Sequence, residues 1–514
     1  MYAADWLGKR AELTPNQLAV IDELGCRRLT YLELQQRAET LTSFLYHELG
    51  VREGDRLVMM AWNRLEHLDL LFAAQKLSAI FVPLNVRLSV PEIESILTDC
   101  QPKLMFYGAE MVETFVKVRN QDNLQFVRLA EKAVTGRPDT EMPKEHSRLE
   151  KWNYEQILGS TFQEFPRPER TMESVWLILY TGGTTGTPKG AILSQGMVTW
   201  NAINTAVSWQ LSSADIAPIF TPFFHTGGLN VLATPLLHLG GTLILNGPFQ
   251  PAQALESISR ERATLVFMVP TMFQMMSQEA DFATADLSSV RFCISGGAPC
   301  PSSIYEAYWA KGLVFKQGYG LTEAGPNCFS LHSDDVQRKK GSIGKPVFHS
   351  EVKLVDAEGE KVSANRVGEL LIQGNHLATG YWQNPEATAA TFRNGWLHTG
   401  DLACRDEEGY YSIVGRKKEL IISGGENIYP AEVEAVLNSH PGVTEAAVIG
   451  VAHDKWGEVP KAFLVLRSEN SLTEEEVIRY CRRHLASYKV PKEVEFRSVL
   501  PHSVAGKLLK RELS

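Results

Sequence analysis

Residues 181–190 read Thr-Gly-Gly-Thr-Thr-Gly-Thr-Pro-Lys-Gly, with four glycines, four threonines and one lysine. Backbone amides left open by glycine, threonine hydroxyls and one ammonium make a grip for a polyphosphate. The run is not a Walker A loop. Thr187 and Pro188 stand where that motif needs its second glycine before Lys and Ser/Thr. The flanks differ as well. Val175–Tyr180 and Ala191–Leu193 are apolar runs that read as buried strands. The loop therefore joins two strands, whereas a P-loop opens a helix.

Further along, Gln317-Gly-Tyr-Gly-Leu-Thr-Glu323 sets a flat aromatic surface, a hydroxyl and a hard oxygen ligand close together at the end of a strand. Ser295-Gly-Gly-Ala-Pro299 is a turn after another strand, and His398-Thr-Gly-Asp401 offers a carboxylate. Gly415-Arg-Lys-Lys418 is a short basic run, and Ser423-Gly-Gly-Glu-Asn-Ile-Tyr-Pro430 is a glycine turn ahead of a helix at Ala431–Leu437. Leu500-Pro-His-Ser-Val-Ala-Gly-Lys507 ends on a lysine close to the last residue.

Together and in this order, these motifs resemble the adenylate-forming, or AMP-binding, superfamily over roughly residues 25–510. Within it the chain is similar to the acyl-CoA synthetase branch that ligates fatty or aryl acids to CoA. The resemblance implies that a carboxylate attacks the α-phosphate of ATP to give acyl-AMP, and that the CoA thiol then takes the acyl group. It implies a phosphate grip at Thr181, Gly182, Gly183, Thr184, Thr185, Gly186 and Lys189. It assigns adenine and acyl pocket walls to Gly297, Ala298 and Pro299, and nucleotide contacts to Gln317, Gly318 and Gly320. Tyr319 stacks on adenine, Thr322 meets the α-phosphate, and Glu323 binds Mg²⁺. Asp401 and Arg416 reach the ribose. Lys418 is the hinge, Gly424 and Gly425 admit the pantetheine arm of CoA, and Lys507 bridges the substrate carboxylate and the α-phosphate. ATP, Mg²⁺ and coenzyme A are the implied cofactors and cosubstrates.

Two departures stand out. Ala505 replaces the threonine the family often carries before its terminal Gly-Lys. Val347-Phe-His-Ser350 replaces an expected Pro-Gly step after Gly341-Ser-Ile-Gly-Lys-Pro346, so that turn differs in shape.

Thr221-Pro-Phe-Phe-His-Thr-Gly-Gly-Leu229 corresponds to the family segment facing the acyl pocket. No Asp lies between Ile216 and Phe249 to pair a substrate ammonium. An unpaired buried ammonium is costly, so an organic acid with an apolar body is expected, a fatty acid first and an aryl acid next. Phe224 and His225 gate the boundary between acyl and pantetheine sites, and His225 joins Lys507, Thr322 and Glu323 among the catalytic candidates. Gly227, Gly296 and Gly318 leave the pocket open. The alternatives are an enzyme loading an acyl carrier protein in trans, a luciferase-like oxygenase, and a non-catalytic nucleotide-binding regulator.

These motifs need elements to hold them. Strand and helix patterns alternate to about residue 317: a helix capped by Thr30 with Leu32, Leu34, Leu41 and Phe44 on one side, then strands at Arg56–Met60, Thr264–Val269, Phe292–Ile294 and Leu313–Gln317. Short strands at Val352–Asp356, Gly368–Gln373 and Tyr410–Val414 follow. The expected fold class is α/β: a large N-terminal body of two α/β subdomains plus a β-rich subdomain, and a small mobile α+β C-terminal domain. The expected divisions are 1–415, a hinge at 416–418, and 419–514.

A chain of 514 residues, 44% hydrophobic and 22% charged, is ordinary for a soluble globular protein. A net charge of −9 argues against nucleic acid as a partner. The seven cysteines are scattered and form no Cys-x-x-Cys pair, which fits free thiols in a reducing compartment. No secretory signal and no terminal Ser-Lys-Leu is read, and the cytoplasm is expected, with a homodimer compatible. Ile216–Phe249 carries no Lys, Arg, Asp or Glu. Glycines, a proline and polar side chains interrupt it, so a buried helix and a strand at Thr242–Leu245 are expected, with no transmembrane span.

Overall fold

The computed structural model describes residues 2–118, 124–129, 150–181, 188–424, 426–453, 455–467, 472–502 and 508–513. Its largest sheet has eight strands, in the order Gly380–Tyr381, Lys189–Ser194, Val175–Thr181, Ile80–Pro83, Arg56–Met60, Leu104–Tyr107, Gln125–Arg128 and Glu150–Asn153. From Val175–Thr181 to Glu150–Asn153 the pairings are parallel. Such strands are covered on both faces and need continuous apolar sequence. Leu57-Val-Met-Met60 and Ile80-Phe-Val82 supply it, all buried.

Thr30 caps the helix Tyr31–His47 in a capping box with Glu33. Leu34, Leu41 and Phe44 are buried as expected, but Leu32 is 39% exposed. It precedes Leu34 by two residues, which places it on the opposite side of the helix. The helix Leu65–Leu77 is buried along its whole length, so its charges need partners. Asp69 takes Arg37 at 2.6 Å and the Tyr154 hydroxyl at 2.7 Å, and Lys76 reaches Asp5 at 2.6 Å.

A second sheet orders Ile216–Pro218, Thr242–Leu245, Leu18–Asp22 and Arg27–Thr30. A third, fully parallel, orders Leu265–Met268, Phe292–Ser295 and Phe315–Gln317. The charge-free stretch is helical at Thr226–Gly228, passes through a π-helical turn at Leu229–Ala233, and continues as the helix Thr234–Leu239. Gly240, at φ +89°, ends it before the buried strand Thr242–Leu245. Among the described residues no helix is long and apolar enough to cross a membrane.

Antiparallel strands Glu351–Val355, Val367–Gln373, Trp396–Arg405 and Tyr411–Arg416 form the β-rich part. Arg416 ends its last strand and Ile421 begins another sheet, which carries Val443–His453, Gly457–Leu466 and the helices Pro430–Asn438 and Glu474–His484. This last unit has its own apolar cluster, including Ile428, Val433, Val448 and Leu464.

Candidate active site

Val175–Thr181 and Lys189–Ser194 pair antiparallel, with Thr181 opposite Lys189, so the glycine–threonine run joins two strands as its flanks predict. The edge strand Gly380–Tyr381 pairs with the second of them, Tyr381 opposite Ala191, and Trp382 N donates to Gly190 O at 2.7 Å. That pairing carries Tyr381 to Glu323. The Tyr381 hydroxyl donates to Glu323 Oε1 at 2.8 Å, and Lys189 Nζ stands 5.5 Å from the centre of the Tyr381 ring. Glu323 lies in the 3₁₀ turn Thr322–Ala324. Two more contacts hold that turn: Ala378 N donates to Glu323 O at 2.8 Å, and His376 Nδ1 meets Ala324 O at 2.5 Å. Burial lowers the His376 pKa, so a neutral ring donates from Nδ1. A carboxylate with one oxygen occupied by a tyrosine hydroxyl fits a hard divalent cation that keeps most of its waters.

At the other end of the motif, the Tyr319 hydroxyl donates to Asp401 Oδ2 at 2.5 Å. Burial, and then the Asp401 charge, push the Tyr319 pKa far up. Arg416 Nε reaches the other oxygen, Oδ1, at 2.5 Å. Asp401 is itself buried, and its N–H donates to Thr399 Oγ1 at 3.0 Å. The register of strands Trp396–Arg405 and Tyr411–Arg416 sets Asp401 opposite Arg416. The aromatic ring, the carboxylate and the guanidinium thus form one hydrogen-bonded unit.

The turn after Phe292–Ser295 needs its glycines. Gly297 has φ +85°, and a Cβ on Gly296 would stand 2.9 Å from Phe267 Cε2. A Cβ on Gly227 would stand 3.4 Å from the same ring. Phe267 is therefore flanked by two bare backbones. Gly318 N donates to Ser295 O at 2.8 Å, while Gln317 Oε1 accepts from the Tyr305 hydroxyl at 3.0 Å and from Cys300 N at 3.3 Å. Ala298 and Pro299 continue the turn at the rim, Pro299 exposed. Gly320 admits no side chain, because its Cβ would fall 2.0 Å from Pro326 O.

His225 precedes the short helix Thr226–Gly228 and lies edge-to-face with the buried Phe224 ring at 4.9 Å. Phe224 in turn neighbours Trp62, and the Arg87 guanidinium lies 4.7 Å from the centre of the Trp62 ring. Burial, helped by the Arg87 charge, lowers the His225 pKa to about 4. The imidazole is neutral at neutral pH, and its buried Nε2 has no hydrogen-bond partner among the described residues.

Lys418 is exposed within the turn Lys417–Glu419, and its neighbour Lys417 pairs with Glu369 at 2.8 Å. Gly424, at φ +60°, donates its N–H to Trp456 O at 2.8 Å, with the Trp456 ring packed over its Cα. Gly182, Gly183, Thr184, Thr185, Gly186, Gly425 and Lys507 lie outside the described residues.

Residues 7–382 match the AMP-binding enzyme family, and residues 432–507 match the AMP-binding enzyme C-terminal domain. The chain belongs to the AMP-binding enzymes. It is 40% identical to a feruloyl-CoA synthase of an Amycolatopsis species, over 99% of this chain and 97% of that protein. It is 36% identical to an indoleacetate–CoA ligase of Aromatoleum aromaticum, over 100% of this chain and 98% of that one. The solved structure of O-succinylbenzoate coenzyme A synthetase from Bacillus subtilis, in complex with ATP and magnesium ion, superposes with a TM-score of 0.84 at 31% identity, covering 99% of each chain. This AMP-binding enzyme is an acid–thiol ligase that uses ATP, Mg²⁺ and CoA.

Sequence reasoning missed Tyr381 and Phe267. Gly380-Tyr-Trp382 was the available signal for the first, an aromatic pair after a glycine. Phe267 has no signal of its own, being one apolar residue in an apolar strand.

Proposed function

We propose that the acid this ligase activates carries an aromatic ring, and that the sites named from the motifs act as the resemblance implies. The observation that carries the aryl reading is Phe267, whose ring is flanked by Gly227 and Gly296 with no side chain of theirs over it. Phe267 is a core residue, 9% exposed, and on this reading its remaining exposed edge meets the substrate ring. The feruloyl-, indoleacetate- and O-succinylbenzoate-activating relatives support the same reading. Ile216–Phe249 carries no charge to hold a second carboxylate or an ammonium.

In the first half-reaction the substrate carboxylate attacks the α-phosphate and pyrophosphate leaves. Two anions meet there, so Lys189 and Lys507 offset charge as it develops. Thr322 orients the α-phosphate, and Asp401 and Arg416 hold the ribose while Tyr319 stacks on adenine. Magnesium, held by Glu323, neutralises phosphate charge when bound. In the second half-reaction the CoA thiol attacks the acyl carbon and AMP leaves. His225, neutral at the boundary of the acyl pocket, gates the passage between acyl and pantetheine sites, and with its pKa lowered to about 4 it leaves the thiol proton to solvent. The unit 419–514 turns about Lys418 between the two steps, bringing Gly424 and Gly425 in place of Lys507. A cytoplasmic location and a homodimer accompany this reading.

The test is acid-dependent AMP release with CoA present, across hydroxycinnamic, indolic, benzoic, fatty and dicarboxylic acids, with the thioester identified by mass. The highest kcat/KM with an aryl acid is expected. A fatty acid as the best substrate overturns the aryl reading, and acyl-AMP without any CoA ester points to a carrier-protein acceptor.

A further inference from the structure

We propose that Asn201 is a positioning residue for the acid: its amide fixes the π-helical turn Leu229–Ala233 and, through it, the segment that carries His225 and Gly227. This rests on the reading above, in which Thr221–Leu229 faces the acid. Pro235 lies in the first turn of the helix Thr234–Leu239 and has no N–H. The carbonyls four and five residues behind it belong to Val231 and Asn230, so both lose a donor that any other residue at 235 would offer. The turn ahead of it is wound as a π turn, with Thr234 N donating to Leu229 O five residues back. Two side-chain amides from elsewhere in the chain supply donors instead. Asn201 Nδ2 donates to Asn230 O at 2.8 Å, and Asn327 Nδ2 donates to Val231 O at 2.9 Å. Asn201, Asn230 and Asn327 are each 2% exposed, so these carbonyls depend on the amides and not on bulk water.

Asn201 stands where three elements cross. It lies on the helix Gln195–Trp209, which begins directly after the strand Lys189–Ser194. Its Oδ1 faces the bare backbone of Gly325, at φ +64°, where a Cβ would stand 2.8 Å away. Gly325 directly follows the 3₁₀ turn Thr322–Ala324 that carries Glu323. Thr205 Oγ1, one helical turn on, donates to Asn201 O at 2.7 Å and accepts from Asn327 Nδ2 at 2.8 Å. On the acyl side, Asn230 Nδ2 donates to Thr226 Oγ1 at 3.2 Å, and Leu229 N donates to His225 O at 3.2 Å. One amide therefore ties the segment proposed to face the acid to the turn proposed to hold magnesium. π turns are uncommon and often sit at functional sites. Here the winding sets where His225 and Gly227 stand relative to Glu323. The acid's carboxylate must meet the α-phosphate, and a displacement of about 1 Å costs on the order of a hundredfold in rate.

The experiment compares steady-state kinetics for the acid and for ATP in full-length variants, with the best acid of the panel above as probe. Asn201→Leu removes the donor at similar size. It should raise the KM for the acid and lower kcat, a loss of about tenfold or more in kcat/KM for the acid, while the KM for ATP stays as in wild type. Pro235→Ala supplies the missing backbone N–H, so the double variant Asn201→Leu with Pro235→Ala should recover most of that loss. An equal rise in both KM values, unchanged acid kinetics, or a double variant no better than Asn201→Leu overturns the proposal. If Asn201→Leu does not fold, Asn201→Ser takes its place with the same outcomes, because its shorter hydroxyl turns back to the helix carbonyl four residues behind. Gly227→Val run alongside separates the two failures. If it leaves the kinetics of every acid as in wild type, Thr221–Leu229 does not face the acid and the proposal falls with that reading; if it alters them while the Asn201 variants behave as wild type, only the positioning role fails.

Discussion

The Tyr381 hydroxyl donates to Glu323 Oε1 at 2.8 Å, while the same ring lies 5.5 Å from Lys189 Nζ. One aromatic side chain therefore neighbours both the lysine proposed to grip phosphate and the carboxylate proposed to hold magnesium. Without it the two opposite charges could collapse into an ion pair and leave the phosphates fewer free partners.

Tyr381→Phe removes only the oxygen. A hydrogen bond to a charged group contributes about 1.5–3 kcal/mol net. The expected outcome is a rise of about tenfold in the KM for Mg·ATP, matched by weaker Mg·ATP binding in calorimetry, with folding intact. An unchanged affinity would show that Glu323 is held well enough by the backbone contacts of Ala378 and His376.

Legibility followed sequence distance. Tyr319, Thr322 and Glu323 fall within one short segment, and Asp401 and Arg416 face each other across adjacent strands, so contiguous motifs named them. Tyr381 reaches Glu323 from 58 residues away, through an edge strand of two residues that has no periodicity to read. Phe267 was hidden for another reason: it is one apolar residue of a core strand, and the pocket wall proposed for it would share that composition. Leu32 is exposed because two residues along a helix turn the side chain about 200° away from Leu34, an angle that apolar composition alone does not encode. The charge-free stretch was legible as buried helix plus strand, but its π-helical turn at Leu229–Ala233 was not.

Asp401→Asn tests the unit at the nucleotide end. Asp401 binds both Tyr319 and Arg416, so the amide loses its charge against Arg416 while keeping an acceptor for one of them. Leaving a buried polar partner unsatisfied costs about 1–3 kcal/mol. The variant should unfold at a lower temperature, and ATP and AMP should protect it less than they protect wild type. If thermal stability falls but the nucleotide shift stays whole, Asp401 serves the fold and not the ribose.

His67 predicts a pH dependence of stability. It is buried between the Phe81 and Phe223 rings, with centroids 6.4 and 5.4 Å away, and burial lowers its pKa from 6.5 to about 3. The folded state refuses a proton that the unfolded state accepts below 6.5. The contribution of His67 is therefore complete above pH 6.5 and is lost as the pH falls toward 3, by up to about 1.4 kcal/mol per pH unit. His67→Met removes the titrating group. The difference in unfolding free energy between wild type and this variant should be flat on the alkaline side and move in the variant's favour on acidification. A difference that stays constant down to acid pH would mean that the folded protein accommodates the imidazolium.

Phe267 and Gly296 together predict a change in specificity. A Cβ at Gly296 would come within 2.9 Å of Phe267 Cε2, so Gly296→Ala must displace the ring or the turn that carries it. On the other side a Cβ on Gly227 would stand in ordinary contact at 3.4 Å, so the ring has there only the room of that missing methyl. In Gly296→Ala the kcat/KM for aryl acids should fall while short alkyl acids keep theirs. Phe267→Ala should act in the opposite sense, losing the aromatic surface and gaining room, so that aryl acids weaken relative to longer alkyl acids. A single methylene-sized change in an apolar pocket is worth about 1–3 kcal/mol, so shifts of roughly tenfold or more between the two classes are within reach of a steady-state assay. Parallel losses on every acid would place Phe267 in the scaffold alone, and the aryl reading would then lack its structural support.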